Sequence, residues 1–225
     1  GTFSDKLSPV AVGNITDAQA VAAGTGHVIV LRTGGTLMAW GLNQNGQLGL
    51  GNTSVTNFPF AIPGIANVQT VRAGEAHTVA LRTDGTVMAW GKNISGQVGD
   101  GTFTQRVSPV QVAGLANITA IAAGNNHSLA LRADSTVWAW GNNSEGQLGT
   151  NQFQFTATPV QVPNLPGRIV AVAAGAVHSL AIDDRGRVYT WGGNANGQLG
   201  DGSTTSRTQP QALTDFFGAE YAEAR

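Results

Sequence analysis

VAAGTGHVIVLRTGGTLMAWGLNQNGQLG, residues 21–49, is the stretch whose reading decides the fold. It returns as VRAGEAHTVALRTDGTVMAWGKNISGQVG at 71–99 and as IAAGNNHSLALRADSTVWAWGNNSEGQLG at 121–149. A fourth copy, VAAGAVHSLAIDDRGRVYTWGGNANGQLG, occupies 172–200. The histidines of the chain all fall at one phase of this pattern, His27, His77, His127 and His178, spaced 50, 50 and 51 residues. Trp40, Trp90, Trp140 and Trp191 repeat the same spacing. A constant period of this size marks a repeat architecture, in which each unit hides its apolar surface against its neighbours.

Within a unit the texture is β. In the second, residues 58–62 (FPFAI), 68–72, 77–81 and 86–90 read as four short strands, with Thr83-Asp84-Gly85 as a hairpin turn. The proline in the first run suits an edge strand. The third strands carry Val79/Leu81, Leu129/Leu131 and Leu180/Ile182 on one face and Thr78/Ala80, Ser128/Ala130 and Ser179/Ala181 on the other. Neither face is charged, so both are covered, as in small antiparallel sheets stacked face to face. Glycine makes up 31 of 225 residues, about twice the usual ~7%. It recurs in phase, as turn residues do and linker residues do not. The expected fold is therefore an all-β, propeller-type array of four-stranded blades. Its units run over about 1–50, 51–100, 101–150 and 151–201, with a partial unit at 202–212 and a tail at 213–225 whose EYAEAR reads as a frayed helical end.

The repeat AAGxxHSLAL…AWG…GQLG closely resembles the repeat of the regulator of chromosome condensation family, bacterial-type members included, over about residues 1–210. The resemblance implies a β-propeller, usually of seven blades, which engages proteins through loops on one face. Four and a half units do not make seven. The chain also starts and stops in mid-repeat, so the segment at 9–12 and the last unit are expected to pair with a longer parent or with further copies of the chain.

Function classes narrow by exclusion. The net charge is −1 and only 11% of residues are charged, with no basic block to track a phosphate backbone. No apolar run is long enough to insert into a membrane. Cysteine is absent. Histidines one per unit do not converge on a metal; each is expected to bond backbone beside its AAG turn and brace its own blade. The tryptophans are expected to set the indole N–H on a neighbouring carbonyl. Asp100-Gly101 and Asp201-Gly202 read as turns, because Leu50 and Thr150 stand at the equivalent positions and a calcium loop needs several oxygen ligands. Phosphate-loop and serine-nucleophile motifs are missing. No catalytic, cofactor or metal residue is assigned.

Candidate contact residues are those that break the repeat. Arg72 replaces an alanine, and Glu75 lies in the variable pair before His77. Phe103, Phe153 and Phe155, with Phe3, lie in the loops after GQLG, which should reach the rim. These point to a non-enzymatic protein-interaction scaffold, with Arg72 and Glu75 on a surface separate from the phenylalanines. The resemblance adds two alternatives: guanine-nucleotide exchange on a small GTPase, and inhibition of an enzyme by a secreted relative with a stretch similar to residues 122–131. Ultraviolet sensing, as in plant relatives, would need a Trp-Arg pair where Glu75-Ala76 stands. Sparse charge with abundant Gly, Asn, Thr and Ala resembles a bacterial extracellular or cell-surface protein.

Overall fold

The computed structural model describes residues 4, 6–13 and 15–213. Among them there are sixteen strands and no helix. The first sheet consists of β1 (Ala18–Ala23), β2 (His27–Arg32), β3 (Leu37–Gly41) and β4 (Thr56–Ala61). The second contains β5 (Val68–Ala73), β6 (His77–Arg82), β7 (Val87–Gly91) and β8 (Arg106–Gln111). β9 (Ile118–Ala123), β10 (His127–Arg132), β11 (Val137–Gly141) and β12 (Thr156–Gln161) make the third. The fourth is β13 (Ile169–Ala174), β14 (His178–Asp183), β15 (Val188–Gly192) and β16 (Arg207–Ala212). Each is an antiparallel meander in chain order. Neighbouring sheets meet through their first and second strands, so they fan out as blades rather than stacking linearly.

The blade frame differs from the unit frame. Of residues 58–62, expected as the first strand of the second unit, 58–61 lie in β4 and close the first sheet by pairing with β3. Likewise 86–90 forms an inner strand, flanked on its outer side by β8. Backbone pairing decides this: the chain leaving β3 loops back onto β3 before it crosses to the next blade. The outer strands hold Pro59, Pro109, Pro159 and Pro210, where a missing N–H faces no partner. On β4 the Thr56 hydroxyl also accepts from Phe58 N (3.2 Å) and donates to Phe58 O (3.0 Å), masking edge groups that a foreign strand would need. Residues 9–12, expected as a strand, are not one. Their counterparts are fourth strands, each held by the third strand of its own sheet. The expected helical end falls in 214–225, outside the described residues.

The core is divided among the junctions between blades. Ile29, Leu31, Leu37 and Leu48 of the first sheet meet Val68, Val71, Ala80 and Trp90 of the second. Equivalent clusters centre on Trp140 and Trp191. The indole N–H of Trp90 donates to Gln47 O, that of Trp140 to Gln97 O and that of Trp191 to Gln147 O, each at 2.9 Å. The final glycine of each GQLG has a packing reason. A methyl on Gly99, which also has φ +78°, would sit 2.6 Å from Trp140 Nε1.

One repeated side chain organises the long β3–β4 loops. Asn43, Asn93, Asn143 and Asn194 are fully buried. Asn93 Nδ2 donates to Thr102 O (2.9 Å) and Thr104 O (3.0 Å), while its Oδ1 accepts from Val98 N (2.9 Å). At about 1 kcal/mol per bond, Asn93→Ala is expected to cost roughly 2–3 kcal/mol and to expose the Val98 amide to hydrogen exchange; unchanged exchange there would refute this. The loop then reaches across to the next blade, with Gly51 N on Val107 O (2.9 Å), Gly101 N on Ala157 O (2.9 Å) and Asn151 N on Thr208 O (2.8 Å). Asp100 and Asp201, read as turn residues, are pinned within the loops: Asp100 accepts from Arg106 and caps the turn at Thr102, and Asp201 accepts from Arg207 and caps the turn at Ser203.

Candidate functional site

Antiparallel connectivity puts the β1–β2 turn and the β3–β4 loop of every blade at the same end of its sheet. That end carries the variable pairs before the histidines and the loops with Phe103, Phe153 and Phe155, and it is layered by radius. Nearest the axis, the AAG turns of the four blades line an open cleft of about 350 Å³ with Gly24, Gly74, Gly124 and Gly175. The turns are chained by backbone bonds, Thr25 N to Glu75 O (3.3 Å), Glu75 N to Asn125 O (3.0 Å) and Asn125 N to Ala176 O (3.0 Å).

The histidines stand behind these turns. His77 Nε2 lies 3.0 Å from Ser128 Oγ of the next blade; His27 meets Thr78 at 3.2 Å and His127 meets Ser179 at 3.0 Å. Each hydroxyl donates its single proton to a glutamine carbonyl, Ser128 to Gln97 O (3.1 Å), Thr78 to Gln47 O (2.9 Å) and Ser179 to Gln147 O (2.8 Å). The hydroxyl must therefore accept from the ring, which assigns the Nε2–H tautomer. Nδ1 of His27, His77 and His127 is buried without a partner. The expected bond to backbone in the same blade is thus corrected: the imidazole joins one blade to the next. Burial, the largest cause, lowers His27 to about 4 and His77 and His127 to about 3.

At intermediate radius a polar chain crosses from the second blade to the third. Asn126 Nδ2 donates to Glu75 Oε2 (2.8 Å), Gln97 Nε2 donates to Asn126 Oδ1 (2.9 Å), and Lys92 Nζ is 3.8 Å from Glu75 Oε1. Arg72 belongs to the inner strand β5, where its guanidinium donates to Thr70 Oγ1 and Val71 O, both at 3.0 Å. Glu75 and the phenylalanine loops lie at the same end of the sheets, Glu75 nearer the axis and the phenylalanines toward the rim.

At the rim, Phe103, Phe153 and Phe155 are 54%, 59% and 45% exposed, so they do not fold back onto a neighbouring blade. Phe155 borders a cleft of about 280 Å³. A larger one, about 680 Å³, lies on the first blade between Leu50, Val55, Phe58, Phe60 and Pro63. Phe58 and Phe60 are 54% and 53% exposed and were not among the sequence candidates. The signal was present: their counterparts are Ser108/Val110, Thr158/Val160 and Gln209/Gln211. The out-of-phase Trp138 is a packing residue, its N–H on Thr136 Oγ1 (3.0 Å) and the Arg132 guanidinium 5.3 Å above its ring.

Comparison with known proteins agrees with this geometry. The profile of the RCC1-like domain matches residues 1–224. The crystal structure of Prp20p from Saccharomyces cerevisiae, described with its binding to Gsp1p and histones, superimposes with a TM-score of 0.81 at 26% identity, covering 91% of this chain and 52% of that one. Human WBSCR16 gives 0.79 at 25% identity, covering 88% and 53%. In sequence, the human E3 ubiquitin-protein ligase HERC2 is 47% identical over 51 residues, which is 23% of this chain and 1% of that protein. The chain thus spans about half the length of the two solved relatives and a small fraction of the ligase.

Proposed function

Because the chain belongs to the RCC1-like domain family, we propose that it is a non-enzymatic protein-interaction module. The protein partner would dock on the end of the sheets that carries the β3–β4 loops. The observation behind this is the contrast between the two sets of aromatic side chains. Trp90, Trp140 and Trp191, which follow the repeat, are fully buried, whereas Phe58, Phe60, Phe103, Phe153 and Phe155, which break it, stay in solvent. Exposed apolar clusters of this kind mark contact surfaces, and an aromatic anchor at an interface centre carries 2 kcal/mol or more of binding. Arg72 and Glu75 would supply polar contacts nearer the axis.

The probes follow from the structural relative: a small GTPase and histones, since Prp20p is described as binding Gsp1p and histones. Phe58→Ala/Phe60→Ala and Phe103→Ala/Phe153→Ala should leave stability within about 0.5 kcal/mol and weaken binding of the responsive probe by roughly 30-fold. Lost stability with unchanged binding would make these residues packing groups and refute the reading. The second reading, regulation of nucleotide exchange on a GTPase, rests on the same likeness. It requires that substoichiometric chain accelerate nucleotide release from the GTPase that it binds.

A further inference from the structure

The ends of the sheets away from the rim loops carry the β2–β3 hairpin of each blade and its equivalents. In three blades the arginine that closes the second strand is neutralised on the spot. Arg32 Nε donates to Asp17 Oδ1 (2.8 Å), Arg82 lies 3.5 Å from Asp84, and Arg132 lies 3.6 Å from Asp134. Arg82 and Arg132 also anchor the loop that enters their blade, donating to Ala66 O (3.3 Å) and Ala116 O (3.4 Å).

The fourth blade reverses this polarity. Asp183 stands where the arginine stands elsewhere, and Arg185 stands where Asp84 and Asp134 stand. The Asp183 carboxylate is buried and satisfied from within its own hairpin. The Arg185 and Arg187 amides donate to Oδ1 (3.0 and 2.9 Å), and Arg187 Nε donates to Oδ2 (2.7 Å). The Tyr189 hydroxyl, 3.3 Å from Pro166 O, takes over the anchoring of the entering loop. The cations are left outside. Arg187 commits only Nε, and its side chain is 46% exposed. Arg168 joins from the entering loop: Asp184 N donates to its carbonyl (2.9 Å), as Thr83 N donates to Asn67 O (2.8 Å) in the second blade. Gly167 lets the two segments close up, since a methyl there would sit 3.4 Å from Arg187 Nη2. Arg168 and Arg185 are exposed and enter no ion pair among the described residues. One exposed carboxylate, Asp184, stands among the three arginines.

We propose that this end of the fourth blade binds a phosphoryl group carried on a protein segment, as phosphoserine or phosphothreonine. Guanidinium groups recognise phosphate oxygens through their paired N–H groups, and arginine clusters read phosphorylated segments in this way. A phosphate monoester puts nearly two charges and three acceptor oxygens at one point. That compactness matches three arginines drawn from one hairpin and the loop beside it. A nucleic-acid backbone would need a longer basic track, and the arginines of the other three hairpins are already paired. The surface lies opposite the rim, so substitutions at the two ends are read separately.

Calorimetric titration at neutral pH tests this, with a short glycine–alanine peptide bearing one phosphoserine, its unphosphorylated twin, inorganic phosphate and a short single-stranded DNA. The phosphopeptide should bind and the twin should not. Arg168→Gln and Arg185→Gln should each weaken binding roughly fivefold. Asp184→Asn should tighten it by removing a like charge, and Arg82→Gln, at a paired arginine of the second blade, should leave it unchanged. These variants keep Asp183 and Tyr189, so the fourth blade should melt as in the unaltered chain. A phosphopeptide that binds no better than its twin, or arginine variants that bind it equally well, would overturn the proposal. So would inorganic phosphate binding as tightly as the peptide, which makes the site one for the free ion, or DNA binding more tightly than the peptide.

Discussion

Acidification from pH 7 to pH 5 should destabilise the folded chain by several kcal/mol, a range in which most carboxylates have yet to titrate. His27, His77 and His127 are held neutral by burial, at about 4, 3 and 3, while in the unfolded chain they titrate near 6.5. The unfolded state therefore binds more protons at every pH between those values, and stability rises with pH across the window. Their contribution is complete above about 6.5 and is lost progressively as the pH falls toward 3–4. At pH 5 each histidine accounts for about 2 kcal/mol, so the three together approach 6 kcal/mol, comparable with the net stability of many domains. Asp183 and Asp201 act in the same direction at lower pH. Burial would raise Asp183, but the N–H groups of Arg187 and Arg185 outweigh it; Ser203 and Arg207 hold Asp201 down; both rest at about 2. The measurement is the guanidinium midpoint at pH 7, 6 and 5, together with imidazole carbon shifts. A flat midpoint, or imidazoles of the folded protein that titrate near 6.5, would show that the rings are hydrated. His127→Gln should remove about a third of the slope.

Trp140→Ala should cost about 3–5 kcal/mol, the ordinary range for emptying a buried indole site. The side chain is fully buried, sits among Leu81, Val98, Val112 and Ile121, and donates to Gln97 O. Trp140→Phe separates the two contributions. It keeps most of the apolar volume and loses the N–H, while Gln97 O still accepts from Ser128 Oγ at 3.1 Å, so a loss nearer 1 kcal/mol is expected. Trp138→Ala, at a half-buried position, should cost clearly less than Trp140→Ala. Equal losses at positions 138 and 140 in denaturant unfolding would contradict the assignment of Trp140 as the anchor of the junction.

The period, the strand content and the blade stack were legible in the sequence because His27, Trp40 and their copies recur at one phase and the turns carry glycine. The blade frame was not. Residues 56–61 follow a fourteen-residue loop from 42 to 55, and nothing local to them says whether they pair backward or forward. The histidine partners were hidden for a related reason: His77 and Ser128 lie 51 residues apart, in different repeats, so neither reads as a partner of the other within a unit. Asn93 lies in a loop rich in Gly and Asn, where composition suggests only a turn residue, although its role is to satisfy backbone groups on both sides of its loop. At the rim, departure from the repeat found Phe103, Phe153 and Phe155. It missed Phe58 and Phe60 because they lie within a strand, where an aromatic is ordinarily assumed to be core.

The sharing of one glutamine carbonyl by a hydroxyl and an indole of the next blade has a directional consequence. Each such link runs from a carbonyl of the earlier blade to two donors of the later one: Gln97 supports Ser128 and Trp140. The bonds that return are of another kind, Gly101 N to Ala157 O and His77 to Ser128. Distorting the loop around Gln97 withdraws two hydrogen bonds from the third blade, whereas trimming Ser128 leaves the Gln97 loop its own Asn93 clamp but takes the acceptor from His77. Because links join only adjacent members, the array behaves as a one-dimensional chain of coupled units. Amides of the second and third sheets, braced on both flanks, should exchange more slowly than those of the first and fourth. A partner seated against either flank would slow exchange in the sheet that it touches before any other.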